Sequence, residues 1–162
     1  MTKYPVIDLH THIYPEKIAH HASDSIGDFY QAPVRQDGTV ESLLRCLDEA
    51  GIGRAVVHSV AISPERVQHI NDFIARSVAQ HPDRFTGFAT LHPDMDNPAA
   101  ELDRALSMGL KGVKMHSDMQ RVALDDPRME KIYAVCEGVC PLLLHAGDRR
   151  YHFDNPSQIA AA

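Results

Sequence analysis

The sequence lacks the features of secreted, membrane-spanning and nucleic-acid-binding proteins. Its N-terminus has no apolar signal core, and no apolar run approaches the length of a membrane span. Lysine and arginine are not clustered and the formal net charge is −6, which argues against a nucleic-acid partner. The chain has only 3 cysteines, an odd number that fits reduced thiols. We therefore expect a cytoplasmic protein that binds neither membranes nor nucleic acid.

Two common classes of catalytic motif are also missing. The sequence contains no Gly-x-Ser-x-Gly nucleophile elbow, and no phosphate-binding glycine loop of the Gly-x-Gly-x-x-Gly or Walker type. Cys136 and Cys140 have no second cysteine pair to complete a zinc knuckle, so we interpret them as core thiols. The residues left to carry chemistry are histidines, of which there are 11.

The apolar pattern predicts alternating strands and helices. Short runs rich in leucine or β-branched residues begin near residues 5, 55, 85, 111 and 141, and segments with helical spacing lie between them. Such alternation indicates an α/β fold with a parallel sheet covered by helices. Because the chain has 162 residues, 44% of them hydrophobic, we expect a single domain over residues 1–162.

Two architectures fit this alternation: an open doubly wound sheet, or part of a (β/α)8 TIM barrel. A complete barrel needs about 250 residues, and five strands cannot close one. The chain is therefore either an open five-stranded fold or the first five βα units of a longer barrel. In both architectures the functional site lies beyond the C-terminal ends of the strands.

Proline and glycine mark the predicted helix boundaries. A capping side chain precedes a proline at Ser63-Pro64, Asn97-Pro98, Asp126-Pro127 and Asn155-Pro156. Glycines that suit helix ends occur at Gly51, Gly109 and Gly138. The connection from about Ile13 to Gly38 is the main irregular stretch, and we expect a long loop there, either a cap over the site or a surface excursion.

Histidines stand at the end of every predicted strand. They are His10, His12, His58, His92, His116 and His145. Since the C-terminal ends of parallel strands meet at one edge of a sheet, these side chains are expected to share one site. Imidazole is the commonest metal ligand and the usual proton carrier near neutral pH.

The strongest candidates for metal ligands are His10 and His12. Side chains alternate along a strand, so both face the same side and can each give a nitrogen to one metal at about 2.0–2.1 Å. His145 follows an apolar strand and is the best third ligand. A catalytic zinc site commonly has three protein ligands and one open position, so we expect one Zn²⁺ on these three histidines.

The catalytic candidates are Lys114, His116 and Asp148. His116 is also the next candidate for a metal ligand after His145. Lys114 and His116 share one parity on the fourth strand, so both face the side of the metal. Lys114 could bind an anionic substrate, bridge two metals if it is carboxylated, or extend to solvent. His58 and His92 are weaker candidates that either ligate the metal or line the site.

A metal at this position would explain how the chain could catalyse a reaction without an activated serine or cysteine. The ion lowers the pKa of a bound water toward about 7 and polarises a carbonyl or carboxylate oxygen. A nearby carboxylate or histidine then moves protons. The expected substrate is a small molecule.

Three segments resemble the amidohydrolase superfamily: residues 6–12 (VIDLHTH), 109–116 (GLKGVKMH) and 142–147 (LLLHAG). The branch that they resemble most contains the metal-dependent hydrolases and decarboxylases related to aminocarboxymuconate semialdehyde decarboxylase. The resemblance runs through the whole chain and keeps the order of the strands.

The resemblance implies a (β/α)8 barrel with a divalent metal, most often zinc. It makes His10 and His12 the ligands from the first strand and His145 the ligand from the fifth. The family also uses a histidine on the sixth strand and an aspartate on the eighth, and both positions lie beyond the last residue. Relatives with two metals use a carboxylated lysine or a glutamate on the fourth strand, but the motif around Lys114 also resembles the single-metal branch, which we favour.

These observations lead to a metal-dependent hydrolase that acts on a small carboxylate or a cyclic ester or amide. The alternatives are a decarboxylase of the same family and a non-catalytic metal-binding fragment. A histidine-rich phosphoesterase on a related barrel is a third interpretation, disfavoured because few acidic ligands lie near the strand ends. Since an incomplete barrel has an unpaired edge, we expect a homo-oligomer.

Overall fold

Short parallel strands form the centre of the molecule. The computed structural model describes residues 5–148 and 150–161. The strands are β1 (Ile7–His12), β2 (Arg54–His58), β3 (Phe85–Gly87), β4 (Ala89–Thr90), β5 (Val113–Met115) and β6 (Leu142–Leu144). They form two three-stranded sheets, in the orders β1-β2-β3 and β4-β5-β6, and all neighbouring pairs are parallel. The predicted α/β fold with parallel strands is confirmed.

The two sheets meet within one predicted strand, which is divided at Phe88 into β3 and β4. The Phe88 N–H donates to the Val57 carbonyl oxygen at 3.0 Å, whereas the next residue, Ala89, donates to the Gly112 carbonyl oxygen at 2.8 Å. Between these two residues the backbone therefore changes its hydrogen-bond partner from β2 to the segment that leads into β5. As a result, the spatial order of the strands is the same as their order in the sequence.

Helices fill the connections between the strands. They are α1 (Glu16–Tyr30), α2 (Val40–Ala50), α3 (Val67–Gln80), α4 (Pro98–Ser107), α5 (Ser117–Gln120), α6 (Glu130–Cys136) and α7 (Pro156–Ala161). Single turns of 3₁₀ helix, Pro64–Arg66 and Pro127–Met129, lead into α3 and α6. Within the described residues, no helix has both the length and the apolar character needed to cross a membrane.

The predicted helix boundaries agree with the structure at two of the capping side chains and at the glycines, whereas Ser63 makes no capping hydrogen bond through its side chain. Asn97 accepts a hydrogen bond from the Ala100 N–H at the start of α4, and Asp126 accepts one from the Arg128 N–H. The glycines predicted at helix ends, Gly51, Gly109 and Gly138, have φ angles of 66°, 96° and 68°, a left-handed conformation that suits glycine.

The prediction of an irregular loop between residues 13 and 38 is wrong, because α1 occupies much of this segment. The residues that α1 buries are small, Ala19 and Ser23, so the helix lacks the large apolar stripe from which an amphipathic helix is recognised. It also begins after Pro15 without a capping side chain. The segment is a helix held against the strand ends, which is compatible with a covering element.

A buried polar network joins α3, α4 and β4 beneath the apolar core. Asn71 is fully buried; its side-chain amide donates to the Thr90 carbonyl oxygen at 3.0 Å and to Glu101 at 2.7 Å, while its oxygen accepts from the Thr90 N–H at 2.7 Å. Arg104 then binds Glu101 through two nitrogens, at 2.9 and 2.8 Å. Asn71 is therefore the side chain of this network that provides partners for both the N–H and the carbonyl oxygen of Thr90 in β4.

Replacing Asn71 by alanine is expected to lower the free energy of unfolding by about 2–3 kcal/mol, because the buried Thr90 N–H loses its acceptor and the Glu101 carboxylate loses one of its two partners. Urea unfolding monitored by circular dichroism measures the change. Gln80→Ala, at the exposed end of the same helix, is the matched control and is expected to have a small effect. A loss under about 0.5 kcal/mol for Asn71→Ala would contradict this role.

Candidate metal centre

Histidines from four strands converge at the C-terminal edge of the sheets. His10 and His12 belong to β1 and His58 ends β2, while His116 and His145 directly follow β5 and β6. Parallel pairing places His12 beside His58 in register, and the His145 N–H donates to the Met115 carbonyl oxygen at 3.1 Å. Backbone pairing therefore fixes the positions of the Cα atoms of these histidines, whether or not a metal is bound.

His10 and His12 point their Nε2 atoms at each other. These nitrogens are 3.2 Å apart, close to the separation of roughly 3.3 Å that two ligands have around a tetrahedral ion with metal–nitrogen bonds of about 2.0–2.1 Å. The Nδ1 atom of His12 is buried and has no hydrogen-bond partner among the described residues. Two converging nitrogens with little competing hydrogen bonding suit a metal.

His58 is the third histidine of this group. Its ligand nitrogen lies within 4.8 Å of those of His10 and His12. The side chain is fully buried, and in the part of the chain that the structure describes neither ring nitrogen has a hydrogen-bond partner. His58 was expected to ligate the metal or line the site, and its position keeps both roles open.

His145, expected as the third ligand, lies on the other side of His10. The two ring centres are 6.1 Å apart. The His145 ring stacks on that of His116 at 3.8 Å, and the Tyr30 hydroxyl lies 2.8 Å from Nε2 of His116 and 3.1 Å from Nε2 of His145. The structure thus brings His145 next to the β1 pair, but groups it more tightly with His116.

His92 is separate from these histidines. Its side chain is buried, and Nδ1 accepts a hydrogen bond from the Asp94 N–H at 3.2 Å. The His92 ring therefore stabilises the turn that follows β4 and is not grouped with the candidate ligands.

Gln120 positions His116 from behind. Its side-chain oxygen accepts from the His116 N–H at 3.0 Å, and its amide donates to the carbonyl oxygens of Ala61 and Leu91 at 3.0 and 2.8 Å. This amide ties the end of β5 to the loops after β2 and β4. The sequence offers no signal for Gln120, because it lies on a four-residue helix, α5.

Lys114 lies at the bottom of the histidine cluster. The residue is fully buried, and no hydrogen-bond acceptor for its Nζ atom occurs in the described residues. Burial lowers the pKa of Lys114 to about 8, so the amine is still mostly protonated at pH 7. A cation buried without a partner is costly, and an anion bound in the site would remove that cost.

The histidines around Lys114 are held in their neutral form. Burial, with His10 and Lys114 nearby, lowers the pKa of His12 to about 3. Burial, followed by neighbouring charges, also lowers the pKa of His58 and that of His116, each to about 2. Neutral imidazole is the form that binds metal, so the cluster does not have to lose protons near pH 7.

Asp148 is bound in an ion pair with Arg150. The Arg150 guanidinium donates to both carboxylate oxygens, with a shortest distance of 2.6 Å, and this lowers the pKa of Asp148 to about 2. Arg150 also donates to the Phe29 carbonyl oxygen at 2.8 Å and lies 5.7 Å from the centre of the Tyr30 ring. In this arrangement Asp148 holds Arg150 in place against α1, and its low pKa makes it a poor proton carrier.

Two other carboxylates face the site and were missed from the sequence. Asp118 and Asp154 are 2% and 1% exposed, and none of their oxygens has a hydrogen-bond donor among the described residues. Burial and the nearby Asp154 raise the pKa of Asp118 to about 6. The only available signal was the position of Asp118 two residues after His116, since Asp154 falls in a loop without a motif.

Comparisons with known proteins agree with this fold. A family model described as amidohydrolase matches residues 7–161. Over 72 residues the chain is 36% identical to 2-amino-3-carboxymuconate-6-semialdehyde decarboxylase of Dictyostelium discoideum, an alignment that covers 43% of this chain and 20% of that protein.

Solved structures are similar in fold. A 5-carboxyvanillate decarboxylase of Novosphingobium aromaticivorans, with bound manganese, superposes with a TM-score of 0.70 and 22% identity, over 90% of this chain and 51% of that one. A structure assigned as a 2-pyrone-4,6-dicarboxylic acid hydrolase of Acinetobacter baumannii gives 0.57 and 24%, over 88% and 50%. The chain spans about half the length of these solved proteins.

Replacing Arg150 by methionine is expected to raise the pKa of Asp148 from about 2 toward its ordinary range, because the guanidinium no longer stabilises the carboxylate. Carboxyl chemical shifts in an NMR pH titration measure this. In the unchanged chain the ion pair contributes stability above the ordinary pKa of aspartate, and that contribution is lost as the pH falls toward 2.

The control for this substitution is Arg76→Met on the exposed face of α3, which leaves the Asp148 carboxyl unchanged. Amide hydrogen exchange near Phe29 is expected to accelerate in Arg150→Met alone, since α1 loses its clamp. An Asp148 titration that does not move would show that the ion pair is absent in solution.

Proposed function

Since this chain belongs to the amidohydrolase family, we propose that it forms the metal-binding part of an enzyme that acts on a small carboxylate. The observation that carries the proposal is the unpaired, buried Lys114 at the bottom of a cluster of neutral histidines. The cluster offers nitrogen ligands to a metal, and Lys114 offers a positive charge to an anionic substrate. We also propose that residues 1–162 form a single domain.

The architecture that we propose is the first five βα units of a (β/α)8 barrel. In the described residues, strands pair in sequence order across both sheets, which meet at Phe88. A doubly wound sheet instead reverses its order at a switch point. Sequential parallel pairing of this kind supports the barrel.

The metal is proposed to bind His10, His12 and His145. The spacing of the Nε2 atoms of His10 and His12 supports the first two, and His145 is adjacent, with its ring centre 6.1 Å from that of His10. His58 is the competing third ligand. Imidazole ligands suit both zinc and manganese. We propose zinc because three histidines are a common ligand set of catalytic zinc sites. The similar Novosphingobium structure contains manganese.

A bound divalent ion would polarise a carboxylate or carbonyl oxygen of the substrate. Lys114 would hold the substrate's negative charge from below. His116, kept neutral by burial, accepts from the Met119 N–H at Nδ1 and would donate its Nε2–H to a substrate oxygen once the Tyr30 hydroxyl moves away. Tyr30 and Phe29 on α1 would cover the substrate and exclude water.

Decarboxylation is the reaction that we now favour, with hydrolysis second. The sequence alone put hydrolysis first, but Lys114 suits a substrate with a free carboxylate, and the curated relative is named a decarboxylase. Hydrolysis keeps support from the hydrolase among the similar structures.

Cellular location and assembly are further parts of the proposal. The thiols of Cys46, Cys136 and Cys140 are free, which fits the reducing cytoplasm. Strand β1 exposes Ile7 and Leu9, which are 49% and 63% accessible. An apolar strand edge of this kind favours association, so we propose a homo-oligomer.

The double substitution His10→Ala/His12→Ala is expected to abolish binding of Zn²⁺ or Mn²⁺ at the proposed site, because it removes two of three nitrogen ligands. Isothermal titration of the chelator-treated chain, with ions counted by mass spectrometry, measures this. His20→Ala/His21→Ala on exposed α1 is the matched control and retains binding. A tight ion that survives in His10→Ala/His12→Ala at this site would refute the assignment.

The third ligand is identified by the same titration. His145→Ala is expected to weaken binding at the site of His10 and His12 more than His58→Ala does. The reverse order would replace His145 by His58 in the proposal and leave the metal site itself in place.

Lys114→Met is expected to weaken binding of an aromatic carboxylate, such as 2,6-dihydroxybenzoate, by roughly tenfold or more, since a charge-assisted hydrogen bond contributes about 1.5–3 kcal/mol. Calorimetric titration of the metal-loaded chain measures this. Lys111→Met, two positions before β5 and exposed, is the control. Equal affinity in Lys114→Met and the unchanged chain would remove the carboxylate from the proposal.

A further inference from the structure

We propose that His116, Asp118 and Asp154 form a second divalent-cation site beside His145, in what we call the acidic pocket. This site is distinct from that of His10 and His12 and does not depend on the activity proposed above. Its ligands come from the start of α5 and from the loop before α7, and they include two carboxylates.

The geometry of the acidic pocket is compatible with one ion. The ligand atoms of His116, Asp118 and His145 all lie within 4.8 Å of one another. Both His116 and Asp118 are 2% exposed, so water cannot readily replace a missing partner. Asp154 lies close enough to Asp118 for their charges to interact.

Unpaired carboxylates carry the argument. Asp118 and Asp154 are more than nine-tenths buried, and the described residues offer no hydrogen-bond donor to any of their four oxygens. A buried carboxylate is otherwise paired, protonated or bound to a metal. Two such groups facing each other repel, and one divalent cation would neutralise both charges together.

The donor set indicates the class of cation. Imidazole with carboxylate oxygens suits Zn²⁺, Mn²⁺, Fe²⁺ or Ni²⁺, whereas Ca²⁺ and Mg²⁺ prefer oxygen alone. The cluster of His10, His12 and His58 contains only nitrogen donors. Because Mn²⁺ accepts carboxylates readily, we expect it to favour the acidic pocket over the all-histidine cluster.

Tyr30 controls access to this pocket from α1. Its hydroxyl lies 2.8 and 3.1 Å from Nε2 of His116 and His145, so a cation in the acidic pocket would compete with Tyr30 for the His116 nitrogen. Arg150 holds the end of α1 in place through the Phe29 carbonyl oxygen. Loss of the Tyr30 hydroxyl is therefore expected to tighten cation binding.

The experiment counts bound Mn²⁺ per chain. The chelator-treated 162-residue chain is titrated with MnCl₂, and bound ions are counted by electron paramagnetic resonance of the free ion and by mass spectrometry after desalting. We expect two ions for the unchanged chain. One ion is expected for Asp118→Asn/Asp154→Asn and one for His10→Ala/His12→Ala. The control Asp83→Asn/Asp103→Asn, at two exposed positions, is expected to retain two.

Folding is checked by thermal unfolding without metal. Neutralising two buried, repelling carboxylates is expected to raise the midpoint of the metal-free chain, whereas a structural role for them would lower it. In His10→Ala/His12→Ala, added Mn²⁺ is expected to raise the midpoint further, and the additional Asp118→Asn substitution is expected to abolish that rise. Tyr30→Phe is expected to bind the second ion at least as tightly as the unchanged chain.

The second site is overturned if Asp118→Asn/Asp154→Asn binds as many ions as the unchanged chain, or if the only ion is lost with His10 and His12. Loss of an ion in Asp118→Asn/Asp154→Asn together with no loss in His10→Ala/His12→Ala would support the acidic pocket and contradict the first metal site. The two proposals therefore fail separately.

Discussion

The desolvation of one positive charge among five histidines is the constraint on which the site depends. Lys114 is buried and has no hydrogen-bond partner among the residues that the structure describes, and its charge, together with burial, disfavours a proton on each surrounding imidazole. The rings therefore remain neutral, which is the state that binds metal. This arrangement has a cost in stability, so the rest of the fold has to hold the strand ends firmly, as the Asn71 and Gln120 hydrogen bonds do.

Much of the framework could be predicted from the sequence, because its signals are local. Strand runs, proline-marked helix starts and terminal glycines each depend on residues adjacent in sequence, and parallel pairing then brings His10, His12, His58 and His145 to one edge. Helix α1 could not be recognised, since its buried face consists of small residues such as Ala19 and Ser23.

The acidic side of the site was also beyond prediction, for a different reason. Asp118 and Asp154 are 36 positions apart in the sequence and come close only in the folded chain. Asp148 looked suitable because it closely follows His145, but it is neutralised by Arg150, two residues later. Which carboxylate faces the pocket depends on loop conformation, and no periodic pattern encodes that.

The hydroxyl of Tyr30 has one proton to share between two rings. It lies within hydrogen-bond distance of Nε2 of both His116 and His145, so it donates to one ring and accepts an N–H from the other. The tautomers of the two histidines are therefore coupled. If the proton moves from Nε2 to Nδ1 in one ring, it must move from Nδ1 to Nε2 in the other. Because Nδ1 of His116 accepts from the Met119 N–H at 3.5 Å, His116 carries its proton on Nε2 and donates it to Tyr30. Tyr30 in turn donates to His145, whose own proton is then on Nδ1.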